Sequence, residues 1–203
     1  MRLNAEEQAW LGGDEGPAMQ LAARIIVQMG ELMGADELIP IVSAHVDGGL
    51  YHGQVSLDFV RRLADGGGQV RVPTSLNVGS VDLLHPELFR GDVYLARAGR
   101  ELMRLYEQLG CGATFTCSPY QNRPRPNLGD QIAWAESNAI VFANSVLGAR
   151  TERYGDFIDI CAALLGRAPY AGLHRAEGRY GRVRFRVAPL PRALLESDVL
   201  FAT

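Results

Sequence analysis

The sequence contains no lysine, since all 20 of its basic side chains are arginine. Schiff-base chemistry and a lysine general base are therefore excluded for this chain. Cysteine is scarce too, with three thiols at 111, 117 and 161 that follow no regular pairing. Cys111 and Cys117 do not have a zinc-ribbon spacing and no second pair follows, so a metal would draw most of its ligands from elsewhere. The amino terminus shows no charged-then-apolar leader, and with so few thiols a cytoplasmic protein with reduced cysteines is expected. No apolar run approaches the ~20 residues needed to span a bilayer. A net charge of −3 gives no electrostatic reason to expect nucleic acid or an anionic membrane as partner. There is no internal repeat, low-complexity segment or obvious linker.

What is present is ordinary for a globular protein: 203 residues, 47% apolar and 21% charged, enough for one good core or two small lobes. Glu6, Glu7, Leu11 and Gly13 suggest a short helix leading into a turn. Pro17 to Met33 predicts a helix, with Leu21, Ile25, Met29 and Leu32 at helical spacing and Pro17 in the first turn. Leu38 to Val42 reads as a buried strand, followed by a polar, glycine-rich loop from Ser43 to Gly53. Val55 to Leu63 is the next helix, Gln69 to Val72 a strand, and Ala96 to Leu109 a helix with Leu102, Leu105 and Leu109 inward. Phe157 to Leu165 is a short helix in which Cys161 is an inert core thiol. Val183 to Val187 alternates apolar residues with arginine, a strand with one wet face. This beat of helix and strand implies an α/β fold, a mostly parallel sheet with helices on both faces.

The chain is organised around the stretch from Gly110 to Arg150. Ala113 to Thr116 reads as a buried strand stopped by Ser118-Pro119, which puts Cys117 at a strand's carboxyl end, the edge where open α/β sheets bind ligands. Asp130 then caps a helix whose apolar residues Ile132, Trp134, Ile140, Val141 and Val146 continue until Gly148 stops it. Glu136, Ser137, Asn138, Asn144 and Ser145 give that helix an unusual set of short hydrogen-bonding side chains. For Asn144 and Ser145 a polar helix surface is sufficient explanation. Glu136 and Ser137, paired with the thiol of Cys117, point to a site.

Two other loops stand open to a structural or a functional reading. Gly48 and Gly49 supply a turn while His45, Asp47 and His52 face water; alternatively, adjacent glycines let backbone amides approach an anionic substrate. Pro73-Thr-Ser-Leu-Asn-Val is an Asn/Ser turn or a second substrate loop. If the loops at 43–52, 73–78 and 117–120 all follow parallel strands, they share one rim.

Thr-Cys-Ser-Pro-Tyr at 116–120, Ala-Trp-Ala-Glu-Ser-Asn-Ala at 133–139 and Ala-Asn-Ser-Val-Leu-Gly-Ala-Arg-Thr at 143–151 resemble the catalytic subunit of the aconitase X family, with further matches from about Glu6 to Arg179. The Ala-His-Val-Asp-Gly form at 44–48 and the Leu-Tyr-His-Gly form at 50–53 are similar to the hydroxyproline-dehydratase branch rather than the phosphomevalonate branch. The resemblance implies an aconitase-like lobe and a dehydratase. It implies that Gly48, Gly49, Leu50, Asn77 and Val78 bind substrate, that Glu136 and Ser137 contact its reacting part, and that Cys117 is a ligand of an iron or iron–sulfur cluster. His174 and Arg179, near further family motifs, are weaker candidates for the cavity.

By the family pattern the chain ends midway through the catalytic subunit. A second lobe with two further cysteines, and a small swivelling domain, would be missing; a fragment or a split protein needing a partner chain is expected, with an exposed apolar face where that lobe docks and self-association of the chain alone. One cysteine does not hold a cluster. The substrate class implied is a small hydroxy acid, cis-3-hydroxy-L-proline giving a pyrroline carboxylate, with 5-phosphomevalonate as the alternative. The rivals are a non-catalytic binding or scaffolding subunit, and Cys117 acting as a metal-free nucleophile beside a histidine base.

Overall fold

The computed structural model describes residues 1–195 apart from 123, 185, 187 and 188. Helix α1, Ala5–Gly12, opens on a reciprocal cap: the Asn4 side chain accepts from the Glu7 amide, and the Glu7 carboxylate accepts from the Asn4 amide. Helix α2, Pro17–Leu32, starts on the expected proline. Its buried stripe is Ala18, Met19, Ala22, Ala23, Ile26 and Gly30, rotated from the stripe of larger residues expected from spacing. Leu21, Ile25 and Met29 pack only partly, and Leu32 is 86% exposed. The small residues let α2 lie close against helix α6, Ile158–Leu165, every residue of which is buried.

Helices α3, Gln54–Asp65, and α4, Val93–Gln108, pack on each other. Asp92 caps α4 through the Tyr94 amide, and Leu102, Leu105 and Leu109 are buried as expected. Cys161 is fully buried among Ile160, Ala162 and Leu164, and burial pushes its thiol far up, which confirms an inert core role. Truncating a fully buried leucine such as Leu102 or Leu164 would cost about 2–5 kcal/mol.

The sheet corrects three expectations. The expected strand Leu38 to Val42 divides: β1, Leu38–Pro40, pairs antiparallel with β5, Arg167–Pro169, while the chain turns and a second strand, β2, Ala44–Val46, begins inside what read as a loop. β2 is the centre of a parallel sheet, between β3, Thr74–Leu76, and β4, Ala133–Trp134. His45 lies opposite Ser75 on one side and Trp134 on the other. The strand expected at Gln69 to Val72 is irregular chain, and the ladder starts at Thr74 instead.

The second half of the Gly110 to Arg150 stretch is also different. Asp130 caps a turn, accepting from the Asn127 amide at 2.7 Å, and Ile132 to Ala135 is extended chain rather than the start of a helix. All four of those residues are buried, as befits a parallel strand covered on both faces. Only after Glu136 does helix α5 begin, Ser137–Phe142, running into a π-helical turn at Ala143–Leu147 that ends on Gly148 at φ 70°. Ala113 to Thr116 lies along the outer edge of β3 without forming a regular strand. Gly112 bridges Ser75 and the Thr116 amide donates to Leu76, but Phe115 at φ 39° breaks the ladder, and Ala113 and Thr114 are exposed rather than buried. On the far edge Gln131 bridges Arg150. Val183 to Val187 falls partly outside the described residues, and Val183, Arg184 and Arg186 are not in a strand.

The α/β reading holds in this form: a short parallel sheet with α6, α3 and α4 on the face of Ala44, Val46 and Leu76, and α5 on the face of Ile132 and Trp134. The outer side of α5 is apolar and open, with Val141 and Val146 more than half exposed beside a cavity of about 780 Å³. Among the described residues no helix is long and apolar enough to cross a membrane.

Candidate active site

Parallel strands deliver their carboxyl ends to one edge, so β2 runs into Asp47, β3 into Asn77 and β4 into Glu136, while the segment beside β3 brings in Cys117. Asn77, almost completely buried, ties the loops together: its Nδ2 donates to Asp47 Oδ1 at 2.5 Å and its Oδ1 accepts from the Val78 amide at 2.7 Å. The Asp47 amide in turn donates to Asp159 Oδ2 at 2.8 Å, which anchors the loop to the first turn of α6. A side chain on Gly49 would lie 3.1 Å from the Asn77 carbonyl oxygen and 3.2 Å from that of Val78. Glycine therefore lets the loop at 47–50 lie on the one at 77–78.

Glu136 sits at the centre of this rim. Its φ of 70° is a left-handed backbone conformation that a residue with a side chain seldom adopts. The strain coincides with the change from strand to helix, and it turns the carboxylate back over the sheet edge. There Glu136 Oε2 lies 3.4 Å from His45 Nε2, while His45 Nδ1 lies 2.8 Å from Ser75 Oγ. Burial brings the His45 pKa down to about 4, so the ring is neutral at pH 7 and its contact with Glu136 is a hydrogen bond rather than an ion pair. Burial, then the charge of Asp47, raises the Glu136 carboxyl to about 7, against hydrogen bonds from Cys117 and Asn77 that favour its ionised form. A carboxyl at that value exchanges protons readily at neutral pH, as a general acid or base must.

Cys117 is exposed. Desolvation, then the Glu136 charge, raises its thiol, the reverse of what an activated nucleophile requires. No histidine attends it: His45 is occupied by Ser75 and Glu136, His52 stands 3.5 Å from Asp156, and His174 is buried elsewhere. A thiolate ligand to a metal fits the position better, because a metal supplies the positive charge that the site otherwise lacks. Among the described residues no cluster of three or more His, Cys, Asp or Glu side chains is arranged to hold a metal. Cys117 fits as one ligand, and the others would have to come from outside this set.

The expected site residues are thus largely brought together. Asp47, Gly49, Asn77, Val78, Glu136 and Cys117 share the rim. The Gly49 amide donates to the Asp47 carbonyl at 2.7 Å, and the Val78 amide is taken by Asn77. Ser137 opens α5 and lines the cavity beside Tyr120 and Asn138; Asn138 donates to the Cys117 carbonyl at 2.8 Å. His174 and Arg179 lie away from the rim. His174 is fully buried between the Tyr154 hydroxyl at 2.5 Å and Gln131 Oε1 at 2.7 Å, while Arg179 grips Asn144 at 2.6 and 2.9 Å. Both brace the fold. The Ser75 and Asp159 contributions were missed from sequence; a serine opposite a histidine becomes visible only once the strand register is known.

Residues 1–177 match the family model described as the aconitase X first domain. The cis-3-hydroxy-L-proline dehydratase of Pseudomonas aeruginosa is 48% identical over 189 residues, which is 93% of this chain and 33% of that protein. A protein of the same name from Hypocrea jecorina is 43% identical, over 98% of this chain and 33% of its own length. The phosphomevalonate dehydratase large subunit of Thermococcus kodakarensis is 39% identical, over 98% of this chain and 50% of that subunit. The crystal structure of aconitase X from Thermococcus kodakaraensis in its holo-form superposes with a TM-score of 0.81 at 41% identity, over 88% of this chain and 45% of that one. The chain therefore spans about a third to a half of the length of these relatives.

Proposed function

The chain belongs to the aconitase X family, and on that premise we propose that it forms the first lobe of a dehydratase that removes water from a small hydroxy acid, with cis-3-hydroxy-L-proline as the substrate. The observation that carries this reading is the convergence of Glu136, Cys117, Asn77 and Asp47 at the carboxyl edge of one parallel sheet. Dehydration of a β-hydroxy acid needs a group to take the α-proton, donors for the carboxylate that stabilises the resulting anion, and assistance to the departing hydroxyl.

Glu136, with its carboxyl near neutrality, moves the proton. His45 holds that carboxylate from behind, and Ser75 holds His45. Amides of Gly48, Gly49 and Leu50, with Asn77 and the Val78 backbone, bind the substrate carboxylate. Ser137 contacts the reacting end from the first turn of α5. Cys117 is one ligand of an iron or iron–sulfur centre, which when bound supplies Lewis-acid assistance to the leaving hydroxyl. Among the described residues, the side chains assembled at the rim are acidic, amide, imidazole and thiol, with no arginine among them, which favours a hydroxy amino acid over 5-phosphomevalonate.

Residues 1–203 constitute a single α/β domain in this reading. The remaining ligands come from a further lobe, in the same polypeptide or a partner chain, together with a small swivelling domain. The greater length of the relatives supports this, as does the open apolar side of α5, where we place the second lobe. The three free cysteines fit a reducing compartment such as the cytoplasm.

The test is iron and sulfide content, with an absorption spectrum, of protein purified without oxygen together with any partner it is made with, for wild type and Cys117→Ala. Iron present in the wild type and absent from the variant, with consumption of cis-3-hydroxy-L-proline, is the expected result. Turnover of 5-phosphomevalonate instead would reassign the substrate. Absence of iron in every preparation would leave a binding or scaffolding subunit.

A further inference from the structure

Beneath the glycine turn at 48–49 lies a hydroxyl with nothing to bond. Tyr106, on the inward face of α4, is fully buried, and among the described residues its hydroxyl has no hydrogen-bond partner, nor has it accessible surface against which a water would fit. A buried hydroxyl without a partner is destabilising. Its position is specific: a Cβ on Gly48 would stand 2.6 Å from the Tyr106 oxygen. The hydroxyl therefore occupies the space that a side chain at position 48 would fill, and the glycine there admits it.

The turn is closed on itself. The Gly49 amide donates to the Asp47 carbonyl at 2.7 Å, a three-residue turn centred on Gly48, and the Asp47 amide is held by Asp159. A donor expected to face the substrate carboxylate is thus spent within the loop. Rotating a peptide group of this turn would release the Gly49 amide outward and carry a carbonyl oxygen inward, toward Tyr106. Glycine tolerates the backbone change that such a rotation requires.

We infer that Tyr106 is a positioning residue: its buried hydroxyl receives a carbonyl of the Gly48–Gly49 turn when the turn opens to present its amides to a substrate carboxylate. The inference rests on the reading of this turn as the carboxylate site. It makes the unpartnered hydroxyl an unfavourable feature of the free protein that ligand binding relieves. Burial, then the charge of Asp159, holds the phenol protonated, so it remains a donor across the working pH range.

Tyr106→Phe removes one oxygen and keeps the ring, so the variant is expected to fold. The experiment compares wild type, Tyr106→Phe and Asn77→Ala, each purified with any partner it is made with, using pyrrole-2-carboxylate as the probe. Its readouts are the dissociation constant, the melting temperature without ligand, and the NMR shift of the Gly49 amide proton. The expected result for Tyr106→Phe is an unchanged or raised melting temperature, with binding weakened about five- to tenfold, the loss of one hydrogen bond formed only in the complex. The Gly49 amide should move on binding in the wild type. A lowered melting temperature in Tyr106→Phe would show that the hydroxyl is bonded in the free protein and would overturn the inference. Equal affinity of Tyr106→Phe and wild type, with Asn77→Ala weakened, would overturn it while leaving the carboxylate site standing. A wild type that does not bind the probe would overturn both.

Discussion

His45 Nε2 and Glu136 Oε2 stand 3.4 Å apart across two adjacent strand ends, although 91 positions separate them in the chain. The imidazole is fully buried and neutral, so it orients the carboxylate without adding charge. In His45→Phe the Glu136 side chain loses that hold, and kcat should fall by about 10²-fold, the scale of a small misplacement of a reacting group, with KM little changed. A donor to a carboxylate favours its ionised form, so the pH limb assigned to Glu136 should also move to higher pH. Steady-state kinetics from pH 5 to 9 check both.

Glu136→Gln keeps the shape and removes the titration. If Glu136 takes the α-proton, the wild-type rate climbs as the carboxyl ionises through about pH 7, and the variant loses about 10²–10⁴-fold with that limb abolished. Exchange of the substrate α-proton with deuterium reports the step directly.

Asp159 lies fully buried beneath the loop at 47, and burial raises its carboxyl to about 7. Its native value exceeds that of the unfolded chain, so the native state binds more protons between about pH 4 and 7. The stability this gives is complete below the unfolded value and is lost as pH rises through the native one. In Asp159→Asn that loss should be absent, so the melting temperature of the variant rises more steeply with pH over this window than that of the wild type. His45 and His174, with native values near 4, act oppositely. They withdraw stability as pH falls from about 6.5 toward 4, in wild type and variant alike.

Gly49→Ala introduces a methyl group 3.1–3.2 Å from two carbonyl oxygens of the adjoining loop. The expected result is about 1–3 kcal/mol of lost stability, the usual scale of overpacking, and weaker substrate binding because the loops at 47–50 and 77–78 separate. Thermal melting and KM measured on the same preparation test this together.

The outer side of α5 offers Val141 and Val146 to solvent. Without the lobe assigned to it, the chain should associate with itself. Val141→Glu combined with Val146→Glu should shift sedimentation toward the monomer.

Helices α2, α3, α4 and α6 were legible in the sequence because their apolar residues recur over several turns. The three parallel strands were not. β2 has three residues, one of them histidine, and leads straight into Asp47-Gly48-Gly49, so it looks like part of the loop that follows it. Ile132 to Ala135 has the uninterrupted apolar character of a buried strand, but it runs directly into a helix and so reads as that helix's first turn. The boundary is set by the positive φ of Glu136, which no residue pattern announces. At the site, family motifs brought Cys117, Glu136 and Asn77 to notice, while the support from His45, Ser75 and Asp159 needed the strand register.

The order of the parallel sheet, β3-β2-β4, carries a consequence for how the protein is made. Its central strand emerges from the ribosome well before β4 and waits for a partner almost ninety positions downstream, since His45 pairs with Trp134. Closing so long a loop is slow, and parallel pairing of this kind delays folding. The carboxylate of Glu136 thus meets His45 only late, after α2, α3 and α4 have formed from local contacts. Until then the half-built sheet exposes an unpaired edge along β2, and it is during synthesis, rather than in the finished fold, that this protein is most in need of protection from aggregation.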